Sequence, residues 1–474
     1  MNRKFYITTS IAYTNAPPHL GFALELVQAD TVARYRRISG QDVFFLTGTD
    51  EHGAKVVKAA ALAGKGPEEF CDEISGEFRQ LARALGASNG DFIRTTDQKK
   101  HWPAVQKVWR KLKENGDLYK KNYEGLYCSG CEAFITEKDL EEGKCKIHQR
   151  EPERINEENY FFRLSKYSKK IETLIEKAKI RVVPESRKNE ILNFVKQGLD
   201  DISFSRPRQD LKWGIPVPDD ESQAIYVWAD ALTNYLSAIG YADSDSPKYW
   251  PADIHFIGKD ILKFHAAIWP GMLLSLEMPL PKTIFVHGFI TVGGQKMSKS
   301  LGNVIDPFEL VNKYGADAVR YFLLREIPPS EDGDFTTEKF EKRYNSDLAG
   351  GLGNLVARVT TLAKNFNVPP IGKFSNSKFP KLIKEAEKDR DSLLMEFRFN
   401  EALVKIWELI SECDRYINEQ KPWQESKKQK EVIGDLLLAI SRIAKLLEPF
   451  FPETSGKIIK QFGAGKSNPL FPRV

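Results

Sequence analysis

The chain is poor in several residue types, and each shortage narrows what it does. Among 474 residues there are only five cysteines, five methionines and seven histidines. Five cysteines cannot brace a protein of this length with disulfides, so a packed apolar core must do that. No apolar run approaches the ~20 residues that span a bilayer, and no hydrophobic secretory segment opens the sequence. The expected setting is therefore the cytosol, away from membranes. Internal repeats and low-complexity segments are missing as well. The net charge of +5, from 70 basic and 65 acidic residues, is mild. It allows a nucleic-acid-binding face without requiring one. What the chain does have is 41% hydrophobic and 11% aromatic residues, enough for a well-folded protein of two to four domains.

Three of the five cysteines cluster. Cys128-Ser-Gly-Cys131 is followed, after thirteen residues, by Cys145-Lys-Ile-His148. Two knuckles of this spacing supply four ligands in a tetrahedron, the closed pattern of one structural zinc per chain. The alternative is a redox pair at Cys128 and Cys131 beside an unrelated Cys and His. The repeated spacing and a reducing compartment disfavour it. Cys71 and Cys413 stand alone and are expected to be reduced.

Two segments far apart in sequence look built for phosphate. The β-branched and aromatic run 4–13 ends in Pro17-Pro-His-Leu-Gly-Phe22, and a helix is predicted over 20–37. A strand leading into a helix N-terminus offers free N–H groups and a positive dipole end. The second segment is Lys296-Met-Ser-Lys-Ser300, which follows a Gly-Gly-Gln loop and a strand-like run over 283–292. Two lysines on a loop are mobile point charges that can follow phosphate charge as it develops.

Strand and helix patterns alternate over 1–115, which predicts a parallel, doubly wound α/β sheet. Residues 116–222 break the rhythm with the cysteine knuckles and read as an insertion. The sheet pattern resumes over 223–290, giving a split nucleotide-binding fold with its ligand at the carboxyl ends of the strands. A mixed segment, 291–343, carries the lysine loop. Residues 344–474 are helical in pattern, with helices predicted over 348–366, 397–419 and 432–447 and a proline-rich connector at 367–372. Such a bundle behind a nucleotide-binding domain is a binding module with its own core.

His19-Leu-Gly-Phe22 and the lysine loop resemble the H-I-G-H and K-M-S-K-S signatures of class I aminoacyl-tRNA synthetases. More narrowly, over about residues 4–465, the chain looks like a methionyl-tRNA synthetase. The residues that carry this are Ala12-Tyr13, Gly48-Thr-Asp-Glu-His-Gly53, Tyr226-Val-Trp-Ala-Asp-Ala231, Phe256-Ile-Gly-Lys-Asp-Ile261 and Asn354-Leu-Val-Ala-Arg358. The resemblance implies a Rossmann-type catalytic domain split by the zinc-knuckle insertion and followed by an α-helical anticodon-binding bundle. It implies ATP-dependent activation of methionine to methionyl-adenylate, with Mg-ATP as co-substrate. Transfer to the 3′ end of tRNA(Met), read at its CAU anticodon, would follow. By the same resemblance His19, Lys296, Lys299 and Arg206 are catalytic, Arg206 on pyrophosphate; the alternative for Arg206 is a surface arginine beside prolines. His19, Gly21, Gly258, Asp260, Lys296 and Lys299 would bind ATP, with Asp260 on the ribose.

Ile11, Tyr13, Asp50, Trp228, Ala231, Tyr235 and His265 line up with methionine-pocket positions, Asp50 holding the ammonium. Trp228, Ala231 and Tyr235 fall at i, i+3 and i+7 of a helix predicted to start near Val227, and His265 and Trp269 at i and i+4. Aromatic walls with one polar handle suit a flexible thioether. Asn354, Arg358 and Trp423 match the anticodon readers; an indole for stacking beside Asn and Arg edges is what single-stranded base readout requires. Two positions depart from the pattern. Phe22 replaces the second signature histidine, and Ile11 replaces a leucine seen in some relatives. The insertion is too small for the editing domain of the isoleucine, valine and leucine enzymes, and a monomer is expected. The rivals are a cysteine–tRNA ligase and a catalytically impaired, synthetase-like RNA-binding protein.

Overall fold

The β-branched and aromatic run near the start forms β1 (Lys4–Tyr13), and α1 (Leu20–Ile38) follows the proline turn. The computed structural model describes residues 3–128, 133–135, 137–147, 149–209, 211–297, 302–369, 372–376, 378–464 and 469–473. β1 lies inside a six-stranded sheet with β2 (Asp42–Asp50), β3 (Asp91–Arg94), β4 (Arg181–Val183), β5 (Ile254–Gly258) and β6 (Thr283–His287). The order is β3-β2-β1-β5-β6-β4. β1 pairs in parallel with β2 and β5, β2 with β3, and β6 with β4. Chain order reverses beside β1, so a ligand crevice is expected where β1 and β5 end. Phe5 through Thr9 are buried without alternation, as a strand covered on both faces requires.

The chain divides into two compact units, residues 1–18, 40–80 and 89–286, and residues 19–39, 81–88 and 287–474. The first holds the sheet. Its core takes Tyr6, Leu46 and Ile93 from the sheet, Trp109 from the helix Trp102–Glu114, and Phe162, Ile171 and Ile175 from the stretch expected as an insertion. That stretch also forms an antiparallel sheet of Ile202–Ser203, Glu153–Phe162, Leu118–Cys128 and Ala133–Ile135, and it supplies β4 to the edge of the main sheet.

The second unit contains α1 and a run of helices at Asn354–Asn365, Lys378–Met395, Phe399–Gln420, Gln429–Leu447 and Pro452–Ala464. The helix Lys378–Met395 lies between two of the predicted ones. Its Phe379, Ile383, Ala386, Arg390 and Leu394 are buried at helical spacing, but lysines and acids between them dilute the apolar signal. The helix expected from 348 begins at Asn354, because Tyr344–Gly353 runs as a π-helix. Three glycines in that segment lower its α-helical preference. No helix among the described residues is long and apolar enough to cross a membrane.

Candidate active site

His19 caps α1. Its backbone is extended (φ −133°, ψ 174°), and its Nδ1 accepts the Gly21 N–H at 3.0 Å, satisfying one of the free donors of the first turn. An acceptor at Nδ1 places the proton of the neutral ring on Nε2. The ring folds back so closely that a Cβ on residue 21 would lie 2.8 Å from Cε1 and 2.9 Å from Nδ1. Gly21 is what permits this pose. The first turn of α1 holds no acidic residue, which leaves its positive end suited to an anion. Phe22 is 8% exposed and belongs to the apolar interior.

The run expected as one strand over 283–292 is two. β6 joins the main sheet, while Ile290–Val292 joins a small sheet with Gln295–Lys296 and Gly333–Phe335. Val292 pairs with Gln295 and Thr291 with Lys296, leaving Gly293 and Gly294 as a two-residue turn with φ of 60° and 76°. Two positive φ values are what a type I′ hairpin needs, and glycine adopts them at least cost. Asp334 pins the turn, accepting from the Gly294 N–H at 2.7 Å and the Thr291 hydroxyl at 2.9 Å, and it pairs with Lys339 at 2.9 Å. The Gly294 N–H, then Lys339, hold the Asp334 carboxyl below its ordinary range. A braced hairpin therefore carries the backbone to Lys296. Lys299 and its neighbours Ser298 and Ser300 lie outside the described residues.

Ile11 and Tyr13, at the end of β1, stand in register with Gly48 and Asp50 of β2. Asp50 is buried, and its carbonyl accepts from the Thr14 N–H at 3.0 Å and the Thr14 hydroxyl at 3.2 Å. Trp228 and Ala231 lie on the helix Val227–Leu232. Tyr235 belongs to the next short helix, Asn234–Ser237, but Thr233 between them keeps right-handed helical angles. Trp228 stacks on Phe264, with ring centroids 3.5 Å apart and planes 11° from parallel. Phe264 had no place in the sequence reading, although its position beside His265 was a signal.

The Tyr235 hydroxyl is 2.8 Å from His265 Nε2, and His265 Nδ1 is 3.0 Å from the Ile261 carbonyl oxygen. A carbonyl only accepts, so in the neutral ring the proton sits on Nδ1 and Tyr235 donates to Nε2. His265 and Trp269 are not related by an α-helical turn as expected. Phe264–Ile268 forms a π turn in which the Trp269 N–H bonds the Phe264 carbonyl. Pro270 lacks the N–H that would continue the α register. The His255 ring lies 4.3 Å from that of Tyr235. Burial, then nearby His265, pushes the His255 imidazole well below its ordinary value, so it stays neutral beside Tyr235.

β5 ends in Gly258, and Asp260 follows on the exposed side of the turn Lys259–Ile261. Arg206 is no surface arginine. It is 9% exposed, pairs with Glu157 at 2.7 Å and lies 4.3 Å from the centre of the Tyr127 ring. Cys128 and Cys145 are both buried in one small cluster with Ile135, and neither is in a disulfide. Two such thiols suit a thiolate–metal site. Cys131 and His148 lie outside the described residues, and no group of three metal-ligating side chains occurs among the described ones. In the second unit Asn354 is exposed at the start of its helix. One turn later, the Arg358 guanidinium lies 5.9 Å from the centre of the Trp423 ring and donates to Asn418 at 2.8 Å. Trp423 is 47% exposed, an unusual position for an indole without a partner surface.

Residues 5–141 and 135–360 match the family described as tRNA synthetases class I (M), and residues 375–472 match the anticodon-binding domain of tRNA ligase. The methionine–tRNA ligase of Thermotoga maritima is 47% identical, over 97% of this chain and 75% of its own length. That of Brucella suis is 44% identical, over 96% of this chain and 91% of its own. Among solved structures, Mycobacterium tuberculosis methionyl-tRNA synthetase in complex with methionyl-adenylate superposes with a TM-score of 0.91 at 38% identity. The alignment covers 100% of this chain and 98% of that one. The chain belongs to the methionyl-tRNA synthetase family of class I aminoacyl-tRNA synthetases.

Proposed function

We propose that the methionine–tRNA ligase activity of this chain is carried by the groups just described, each in a separate role. In the first step a methionine carboxylate oxygen attacks the α-phosphorus of ATP, and the bond to pyrophosphate breaks. His19 Nε2, Lys296 and Lys299 would hold phosphate oxygens as their charge shifts, and Arg206 the departing pyrophosphate. Magnesium bound to ATP would neutralise phosphate charge. The Gly258 backbone and Asp260 would take the nucleoside, a carboxylate being the natural acceptor for two ribose hydroxyls. Asp50 would hold the methionine ammonium, while Ile11, Tyr13, Trp228, Ala231, Tyr235 and His265 enclose the thioether. In the second step the tRNA 3′-terminal hydroxyl attacks the acyl carbon and AMP leaves.

The observation that supports this reading most directly is the register at the ends of β1 and β2. The Asp50 carboxyl stands in register with Tyr13, and a hydrogen bond joins the buried Tyr235 and His265. Methionine-dependent exchange of pyrophosphate into ATP tests it. Absence of exchange and of adenylate would turn the reading to the RNA-binding rival. The cysteine-ligase rival is set aside, since the relatives named above are methionine ligases.

The finer assignments belong to the same proposal. Residues 1–115 and 223–290 would be the catalytic halves, 116–222 the zinc-bearing insertion, 291–343 the lysine-loop and stem-contact segment, and 344–474 the anticodon-binding domain. The protein would act as a cytosolic monomer. Purified protein should contain about one zinc, held by Cys128, Cys131, Cys145 and His148. Metal analysis finding none, with all three thiols titratable, would end that assignment. Asn354, Arg358 and Trp423 would read the CAU anticodon. Trp423→Ala should therefore weaken tRNA charging by the ~1–3 kcal/mol of a lost base stack while sparing pyrophosphate exchange. Equal loss of both activities would mean that Trp423 supports the bundle instead.

A further inference from the structure

Asp230 is a fully buried carboxylate, set between Trp228 and Ala231 on the six-residue helix Val227–Leu232. Two buried histidines reach it. His52 Nδ1 lies 2.6 Å from one carboxylate oxygen, and His101 Nε2 lies 2.7 Å from the other. An ionised carboxylate only accepts, so both nitrogens present their N–H to it. Nδ1 of His101 continues to the Ser237 hydroxyl at 2.8 Å. Burial pulls the Asp230 carboxyl upward, but His52 and then His101 outweigh it and hold the group below its ordinary range. Asp230 is therefore an anion kept in the interior by its partners.

Their places in the chain give this network a consequence for the pocket. His52 is two residues beyond Asp50. The residue between them, Glu51, is equally fixed. Its carboxylate takes Arg94 at 2.7 and 2.8 Å, Thr49 at 2.6 Å and Thr96 at 2.5 Å. Its backbone N–H donates to the Thr95 hydroxyl at 2.9 Å, and its carbonyl accepts from the Trp213 indole at 2.6 Å. The backbone beyond Asp50 is thus clamped by two side chains to which no substrate role falls. Helix Val227–Leu232, in turn, is too short to be stable alone and has no side-chain cap, so buried contacts set its orientation.

We propose that His52, acting through Asp230, is a positioning residue for methionine. It ties the strand end that bears Asp50 to the helix that bears Trp228 and Ala231, and so fixes the gap between the ammonium-holding carboxylate and the apolar wall. His101, itself held by the Ser237 hydroxyl, takes the far oxygen of Asp230, which keeps the carboxylate aimed at His52. The inference rests on the assignment of Asp50, Trp228 and Ala231 to the methionine pocket.

Pyrophosphate-exchange kinetics test it on the full chain, with methionine and ATP varied separately. His52→Leu should raise the methionine KM by about tenfold to a hundredfold, the cost of a misplaced reacting group. The ATP KM should stay unchanged, and kcat should fall less than methionine kcat/KM. His52→Asn, whose side-chain amide N–H can replace Nδ1–H, should restore most of the affinity. Should His52→Leu fail to fold, His52→Gln takes its place, since its longer arm carries the amide past Asp230. An unchanged methionine KM, a parallel rise in both KM values, or no rescue by asparagine would overturn the proposal and leave the network as core structure. Asp50→Asn separates the two levels of the argument. If it leaves the methionine KM unaltered, the pocket assignment itself falls. If it raises that KM while His52→Leu does not, only the positioning role falls.

Discussion

Methionyl-adenylate formation in Gly21→Ala should fall by about 10²–10³, close to the loss in His19→Ala. The reason is steric and local. A Cβ on residue 21 would stand 2.8 Å from Cε1 of the His19 ring, and the ring is the side that yields. It would swing away from the turn, carrying its Nε2 proton out of line. The fold itself should not suffer. Residue 21 is the second residue of α1, and alanine is favoured over glycine in a helix by about 1 kcal/mol. Activity should therefore drop while stability holds or rises. Rapid-quench measurement of the first adenylate turnover, on wild type, both single variants and the double variant, decides the matter. If Gly21 acts only by seating His19, adding Gly21→Ala to His19→Ala costs nothing further. Fully additive losses would show instead that the Gly21 backbone meets the nucleotide directly.

How much of this was legible beforehand depended on sequence separation. β1 and α1 were readable because the β-branched run, the prolines and the capping His19 are contiguous. The Gly293-Gly294 turn was readable as a loop for the same reason, although its division of one apparent strand between two sheets was not. The bundle was legible as helical, yet Lys378–Met395 hid behind its own charges. The π turn at Phe264–Ile268 follows from Pro270, a signal present in the sequence but masked by an i, i+4 pattern that looked regular. Individual site residues were legible through family resemblance alone, since Asp50 or Tyr235 in isolation is indistinguishable from core. The His52–Asp230–His101 network joins residues 178 and 129 positions apart. No local pattern announces such a pairing, because it exists only once the strand end and the short helix are in place.

Arg320→Met should cost the second unit about 3–5 kcal/mol, the loss expected when one member of a buried ion pair is removed. Arg320 and Asp30 are both fully buried and lie 2.7 Å apart. The guanidinium also donates to the carbonyls of Phe450 at 2.7 Å, Pro449 at 3.2 Å and Leu85 at 3.3 Å. One side chain thus ties α1 to the chain just beyond helix Gln429–Leu447. Asp30 further accepts from Arg34 and Ser88 at 2.7 Å. Burial pulls the Asp30 carboxyl upward, but Arg320, Arg34 and Ser88 together hold it below its ordinary value of 3.8. A lowered native value means that this contribution to stability is complete above the unfolded-chain value, about 3.9, and is lost as pH falls through the native one. Wild type should therefore keep α1 protected down to about pH 4, whereas the deficit of Arg320→Met should be largest near neutrality and shrink as pH falls and the unpaired Asp30 takes up a proton. Hydrogen exchange at the α1 amides reads this unit by itself, near neutrality and in an acid series. Unchanged exchange in Arg320→Met would sink the argument. The double change Arg320→Met with Asp30→Leu supplies the sign: replacing both charges by apolar groups should recover much of the loss, because the penalty comes from the carboxylate left without its partner.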